Sequence, residues 1–314
     1  MINFKCSLSP IQLDKYMKMS LEDKIDLSLE LIDSFFAEHS VEDTYISSSF
    51  GKDSLVLIDL VRKNYPETTI VYVDTGIEPD SCVELSEIYD NTIVLYPKKD
   101  ITQVTKEYGY MIPLGKDKAN AIEQVRRNIH DGKYDSWRVK QMRGERERAM
   151  WDYSDCIPYL VAPFKISDKC CYWLKKSPIN SFMNTSNYKY TFTGVTADES
   201  MHRRNSVLKN GFIHKNTCTP IAHWNLNDIL QYIQENNLPL PSCYGEIETD
   251  EQGNYYTTLF QRNGCLCCPI GSHLESPNKF QLLREFDRET WDFVINELGY
   301  GKVLDYFNVP TEFE

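Results

Sequence analysis

Three short runs of β-branched and aromatic residues recur along the chain with a helix-length stretch between them: Thr44-Tyr45-Ile46, "TIVYVD" (Thr69 to Asp74) and "TIVLY" (Thr92 to Tyr96). No other feature limits the fold as much. Strands that are apolar almost without alternation must be covered on both faces, and strands joined through helices run parallel. The first gap, Asp53 to Lys63, is apolar at helical spacing. The second, Pro79 to Tyr89, opens on a proline, which suits a first helical turn. Ile101 to Tyr108 gives a further short helix, and upstream Leu21 to Glu38 is amphipathic with Ser20 as its N-cap. The expected fold class is α/β, a doubly wound and mostly parallel sheet.

From Lys116 to Tyr153 the pattern is charged and helical, and "YKYTFTGVT" (Tyr188 to Thr196) then returns to a strand. The expected organisation is an N-terminal helical segment over 1–40 and an α/β domain over 41–245 with a helical insertion at about 116–155. A Cys-rich segment and C-terminal helices fill 246–314. "HWNLNDILQYIQENNLPLP" is a helix stopped by its prolines. Gly245 to Thr258 is turn-rich, with "DEQGN" as a hairpin turn.

Hydrophobic residues make up 41% of the 314, enough for a full core. No apolar run is long enough to span a bilayer, and the first twenty residues hold no continuous apolar stretch, so a cytoplasmic protein without membrane contact is expected. The formal net charge of −12 makes a poor general binder of nucleic acid, because the average field repels phosphate. Any such contact needs a local basic patch. The segment 126–148 is the candidate, with eight Lys/Arg against four Asp/Glu; a solvated, salt-bridged helical face is the plainer account.

"SFGKDS" (Ser49 to Ser54) joins the first strand directly to a helix. Gly51 lets backbone approach an oxyanion without a Cβ in the way. The amides and dipole of the helix N-terminus favour negative charge there. Ser49 and Ser54 can donate hydroxyl hydrogen bonds, Lys52 adds a point charge, and Asp53 can hold Mg²⁺ near phosphates. "VYVDTGIE" ends the next strand in another polar, Gly-containing turn, which puts both turns at the carboxyl edge of the sheet.

"SFGKDS" followed by "VDTGIE" resembles the PP-loop ATP pyrophosphatases, whose loop runs S-G-G-x-D-S; here Phe50 stands at the middle glycine. "GVTADESMHRR" (Gly194 to Arg204) and "PIAHWNLNDILQYI" (Pro220 to Ile233) resemble the later motifs of the phosphoadenosine-phosphosulfate (PAPS) reductase family within that superfamily. The resemblance implies that Ser49, Gly51, Lys52, Asp53 and Ser54 bind nucleotide phosphates and that Asp74, Thr75 and Gly76 line the adenosine side. It places Arg203 and Arg204 over the site, with Lys52, Asp53 and the two arginines as catalytic residues. Adjacent arginines suit oxyanions through their fork geometry. The competing role for them is a surface ion pair with Asp198 or Glu199.

Ten cysteines are many for a reducing compartment, and clustered ones argue for metal or redox chemistry. "DKCCYW" holds Cys170 and Cys171; "NGCLCCPIG" holds Cys265, Cys267 and Cys268. Adjacent cysteines wrap one tetrahedral ion poorly, so the pattern favours a [4Fe–4S] cluster over Zn²⁺. The resemblance extends to iron–sulfur adenylyl-sulfate reductases and implies Cys170, Cys171, Cys265 and Cys268 as ligands. Cys267 is then an extra thiol: a substitute ligand, a sulfur carrier or a bystander. Cys6, Cys82, Cys156, Cys218 and Cys243 read as small buried hydrophobes. His202, His214, His223 and His273 read as structural.

Reductases of this family use a nucleophilic cysteine in a C-terminal tail, and Ser276 to Glu314 holds none. The expected function is therefore ATP/Mg binding at "SFGKDS" with cleavage to AMP and pyrophosphate, activating a substrate for cluster-assisted sulfur transfer. The chain also resembles the ATP pyrophosphatase component of DNA phosphorothioation, cluster-dependent tRNA thiolases, and stand-alone members on phages and mobile elements. A nucleic-acid substrate, met through the basic segment 126–148, and a sulfur-donating desulfurase are the candidate partners. Sulfonucleotide reduction and non-catalytic nucleotide sensing are the alternatives.

Overall fold

The computed structural model describes residues 6–145 and 152–313. The chain divides into two compact units built from interleaved segments. The first takes the chain to Asp74, then Glu78–Tyr96 and Ile179–Gly264; the second takes Thr75–Ile77, Pro97–Pro178 and Cys265 onward.

The first unit opens with α1 (Pro10–Met17), whose N-cap Ser9 and Gln12 form a reciprocal capping box, and α2 (Leu21–Phe36), capped by Ser20. Six strands follow in one sheet: β1 (Thr44–Ser48), β2 (Thr69–Val73), β3 (Thr92–Leu95), β4 (Tyr190–Thr193), β5 (Ile213–His214) and β6 (Thr217–Cys218). Their spatial order is β3-β2-β1-β4-β6-β5. Every pairing is parallel except β5 with β6. The expected mostly parallel α/β sheet is therefore observed. Helices α3 (Lys52–Asn64) and α4 (Asp80–Ile88) provide the crossovers between β1, β2 and β3. The strand order reverses between β1 and β4, so the loops after these two strands face one crevice at the sheet's carboxyl edge.

The later motif "PIAHWNLND" is structural. Trp224 is fully buried and donates Nε1–H to Ser28 Oγ at 3.0 Å, and that hydroxyl donates to the Pro220 carbonyl at 2.9 Å. Lys24 of α2 pairs with Asp228 at 2.6 Å in the buried interior. His223, also fully buried, places Nε2 3.3 Å from the Lys24 carbonyl, and burial pushes its pKa down to about 3. The imidazole is thus held neutral. Unfolding exposes it to protons below its ordinary value near 6.5, so stability is lost as pH falls from about 6.5 toward 3. The slope from this group is about 1.4 kcal/mol per pH unit. Urea midpoints of wild type and His223→Gln between pH 6.5 and 4.5 test this. The wild type should lose stability more steeply by that amount, and parallel curves would assign acid sensitivity to other groups.

The first unit is completed by the C-terminal part of α9 (Ser177–Thr185), α10 (Met201–Asn210), α11 (Leu226–Glu235) and a hairpin of β7 (Ile247–Thr249) with β8 (Tyr255–Thr257). Asp250 closes that hairpin by accepting from the Gln252 and Asn254 backbone N–H groups, at the "DEQGN" turn the sequence marks.

The second unit is helical: α5 (Ile101–Tyr108), α6 (Lys116–His130), α7 (Trp137–Met142), a 3₁₀ stretch over Ser154–Val161, and α8 (Lys169–Cys171) leading through a π-helical turn, Tyr172–Lys176, to the start of α9. Helices α12 (Lys279–Phe286), α13 (Arg288–Asp292) and α14 (Gly301–Tyr306) follow the second cysteine group. Arg126, the first residue of the basic segment, donates to the carbonyls of Tyr159, Leu160, Ala162 and Phe164 at 2.7–3.0 Å. Its guanidinium is committed to the fold. Arg146 and Arg148 lie outside the described residues. Among the described residues no helix is long and apolar enough to cross a membrane.

Candidate functional site

The loop after β1 is closed on itself before any ligand arrives. Ser48 Oγ accepts the Phe50 N–H at 2.9 Å, and Ser54 Oγ accepts the Ser49 N–H at 3.2 Å. Ser49 and Ser54 hydroxyls lie 3.4 Å apart. Gly51 is the N-cap of α3 and offers no side-chain cap to the amides of the first turn. Gly194, directly after β4, packs against the start of this helix: a Cβ there would meet the Asp53 carbonyl oxygen at 3.2 Å. This glycine brings the two switch-point loops together.

Phe50 adopts φ 49°, a left-handed conformation in which glycine is at ease and a substituted residue is not. Its ring is fully buried, 5.3 Å from Tyr72 and 5.6 Å from Tyr89 between centroids. The departure from S-G-G-x-D-S thus keeps the glycine backbone and adds a core anchor.

Lys52 is buried and donates Nζ–H to the Gln261 carbonyl at 3.1 Å; it also pairs with Asp53 at 3.3 Å. Tyr244 braces the same loop. Its hydroxyl accepts the Lys52 N–H at 3.3 Å and the Asn263 N–H at 3.1 Å, and burial, with the Asp53 charge adding, keeps the phenol well above its ordinary pKa. Asn263 Nδ2 donates to the Ser49 carbonyl at 2.8 Å and reaches Ser49 Oγ at 3.3 Å. Nothing in the sequence singles out Tyr244, Gln261 and Asn263. No periodicity or spacing marks them, and only the chain's return over the loop reveals them.

Arg203 and Arg204 sit in the first turn of α10 and are both engaged with carboxylates. Arg203 pairs with Glu199, which also takes Arg262 at 3.6 Å, and Arg204 pairs with Asp14 of α1. Asp74 follows β2, and its N–H donates to the Leu95 carbonyl at 3.0 Å. Thr75 and Gly76 belong to the second unit. Thr75 is buried, its hydroxyl is 3.8 Å from Cys265 Sγ, and the Leu266 N–H donates to the Ile77 carbonyl at 2.7 Å. The turn expected on the adenosine side therefore also holds the second cysteine group.

Within the second unit all five clustered cysteines, 170, 171, 265, 267 and 268, line a single pocket. Its other walls are Met111, Leu174 and Tyr300. Cys170 and Cys171 enter from α8, at the start of the π-helical turn, a distortion frequent at functional sites. Cys265 and Cys268 are the ends of a tight turn closed by the Cys268 N–H on the Cys265 carbonyl at 2.9 Å, and Lys279 Nζ donates to that carbonyl at 2.7 Å. The hydrogen bond from Cys170, with Lys116 and Lys175 nearby, outweighs burial and brings the Cys171 thiol down to about 6; Cys170 is pushed well up.

Among the described residues no three His, Cys, Asp or Glu side chains converge on one ion position. Thiolates around a single Zn²⁺ at 2.3 Å must stand about 3.8 Å apart on a common centre. Five thiols lining one pocket whose other walls are Met111, Leu174 and Tyr300 are a donor set of the soft kind that thiophilic metal groups take. Cys82, Cys156, Cys218 and Cys243 are fully buried elsewhere, while Cys6 is exposed.

A parallel sheet with a Ser/Gly loop opening into a helix at its switch point defines an α/β protein of the PP-loop type. The chain belongs to the phosphoadenosine phosphosulfate reductase domain family, whose model matches residues 43–137 and 129–270. It is 23% identical over 261 residues to the adenosine 5'-phosphosulfate reductase of Oceanobacillus iheyensis, covering 81% of this chain and 82% of that one. Among solved structures it is similar to the PAPS reductase of Candida auris in its phosphate complex. The identity there is 15% and the TM-score 0.42, with 80% of this chain and 99% of that chain covered. It is also similar to the U34-tRNA thiolase NcsA of Methanococcus maripaludis with its [4Fe-4S] cluster. That match has 13% identity and a TM-score of 0.37 and covers 96% and 89% of the two chains.

Proposed function

We propose that the protein binds ATP with Mg²⁺ at Ser49–Ser54 and cleaves it to AMP and pyrophosphate, activating an acceptor for sulfur transfer. The observation that supports this most is the occurrence in one chain of a phosphate-type loop at the sheet's switch point and a pocket lined by five cysteines.

The first-turn amides of α3, the Ser49 and Ser54 hydroxyls and the Lys52 ammonium would bind the β- and γ-phosphates. The Asp53 carboxylate, 28% exposed, would share Mg²⁺ with them. Asp74, Thr75 and Gly76 would take the adenosine side. Arg203 and Arg204 would exchange their carboxylate partners for the α-phosphate. An acceptor oxygen bonds to the α-phosphorus, and pyrophosphate departs with the bridging electron pair. A sulfur nucleophile then forms a bond to the activated carbon or phosphorus, and AMP leaves. A [4Fe–4S] cluster on Cys170, Cys171, Cys265 and Cys268 would supply a docking point for that sulfur; Zn²⁺ is the alternative occupant. A desulfurase would supply the sulfur, and a nucleic-acid acceptor would meet the segment 126–148.

One observation favours a second reading, sulfonucleotide reduction: curated relatives such as that of Oceanobacillus iheyensis are named adenosine 5'-phosphosulfate reductases. Calorimetry on anaerobically purified protein, comparing ATP/Mg²⁺ with PAPS and adenylyl sulfate, separates the two. The expected result is an ATP preference of at least about tenfold, or about 1.4 kcal/mol, with pyrophosphate released when an acceptor is present. Sulfite release would put reduction first. Tight ATP binding without pyrophosphate from any acceptor would leave a nucleotide sensor.

A further inference from the structure

The side chain of Asn263 occupies the space that makes Gly51 a glycine. A Cβ built on Gly51 would fall 2.2 Å from Asn263 Oδ1, 2.5 Å from Cγ and 2.6 Å from Nδ2. Real Cβ contacts essentially never come so close, so the room above Gly51 is already filled by a carboxamide. The backbone of Gly51 is extended, with φ −82° and ψ 170°, which any residue can adopt. Its lack of a side chain therefore answers to space and not to conformation.

The carboxamide is held there. Nδ2 donates to the Ser49 carbonyl at 2.8 Å and approaches Ser49 Oγ at 3.3 Å and Cys82 Sγ at 3.7 Å. The Asn263 N–H is fixed on Tyr244 Oη, and two residues earlier the Gln261 carbonyl takes the Lys52 ammonium. Arg262, between them, anchors on Glu199 through a 3.2 Å hydrogen bond to its carbonyl. The strap 261–263 is thus held over the loop by four separate attachments. One of them takes up a donor that a phosphate would want, Lys52 Nζ, and the Asn263 carboxamide also lies against the Ser49 hydroxyl at 3.3 Å.

We propose that Asn263 is a specificity-determining residue of the phosphate loop, its carboxamide standing where a phosphate oxygen would lie on Gly51. This rests on the reading of Ser49–Ser54 as a phosphate site. A phosphate chain that runs along the loop has to displace the carboxamide, and because phosphate oxygens accept and do not donate, the Ser49 carbonyl then loses the donor it has in Asn263, whereas a ligand with a single group at the loop's end does not displace it. Asn263 therefore handicaps a pyrophosphate-bearing ligand relative to a shorter one. Breaking one net hydrogen bond on binding corresponds to about two- to tenfold in affinity.

Two measurements on the full chain test this. The first is the affinity for inorganic pyrophosphate and for ATP/Mg²⁺ in wild type, Asn263→Ala and Lys52→Ala. The expected result is a two- to tenfold gain for Asn263→Ala and a loss for Lys52→Ala. Unchanged or weaker binding in Asn263→Ala, with Lys52→Ala still impaired, overturns the role of Asn263 and leaves the loop reading intact. Binding indifferent to Lys52→Ala defeats the loop reading and this inference with it. The second is a double-mutant cycle in thermal stability, which needs no ligand. Gly51→Ala should lower the melting temperature by several degrees in the wild-type background and by much less beside Asn263→Ala, the cycle cancelling the poorer N-cap that alanine makes. Equal losses in both backgrounds would show that Asn263 does not fill the space at Gly51 and would overturn the proposal.

Discussion

Phe50→Ala should cost the protein about 3–5 kcal/mol of stability, the range for removing a fully buried phenylalanine ring. Phe50→Gly should cost about 1 kcal/mol less than that. The ring is completely buried against Tyr72 and Tyr89, so both variants lose the same contacts. They differ at the backbone. With φ at 49°, a residue carrying a Cβ is strained by about 1–2 kcal/mol, and glycine is not. Part of this relief is offset by the greater freedom glycine gains when unfolded. In ordinary extended or helical backbone the order of the two variants is the reverse. Urea titration of wild type, Phe50→Ala and Phe50→Gly gives the comparison. Alanine as stable as glycine, or more so, would mean that the loop does not need a left-handed residue at this position. The consequence reaches function. A glycine here would leave the loop free to flex, whereas Phe50 ties it to β2 and to the residue after α4, holding Ser49 and Gly51 in place.

Features that depend on local pattern were legible in the sequence. β-branched runs specify strands because their side chains pack on a pleated surface, and three such runs around helices leave little choice but a parallel sheet. The loop was legible as a strand-to-helix turn because Gly51 and its serines fall within six residues of chain. The cysteines were legible as two groups, and the structure lines one pocket with all five. What could not be read depends on chain that returns from far away. Tyr244 and Asn263 reach the loop across 192 and 214 residues, and an isolated tyrosine or asparagine carries no pattern that announces this. Arg126 looked like free positive charge because sequence shows a side chain's charge and not the four carbonyls that consume it. The interleaving of the two units is hidden for a similar reason: Thr75–Ile77 is only three residues long, yet it belongs with the cysteines and not with the strand it follows.

Single replacement of Cys170, Cys171, Cys265 or Cys268 by serine should abolish stable iron binding, while Cys267→Ser should retain it. After anaerobic reconstitution, wild type and Cys267→Ser are expected to hold about four iron and about four sulfide per chain, and the other variants less than about one. A serine hydroxyl is not deprotonated at neutral pH and is a hard donor, so it replaces a thiolate poorly at a thiophilic centre. The effect should extend to folding. A group that binds only the folded second unit stabilises it by mass action, and loss of one ligand removes that contribution. The four ligand variants should therefore melt near the temperature of the iron-free wild type, and Cys267→Ser near that of the loaded protein. About one zinc per chain without sulfide would assign the pocket to a single ion. Iron retained in Cys268→Ser and lost in Cys267→Ser would exchange the roles of those two cysteines, both of which line the pocket. That exchange would matter for chemistry, because the thiol left outside the ligand set is the one available to carry sulfur. Cys267 is 3% exposed, against the intermediate exposure of Cys268. A buried thiol is the poorer sulfur carrier, so the iron count of these two variants decides whether the thiol left over for a relay is the buried Cys267 or the more exposed Cys268.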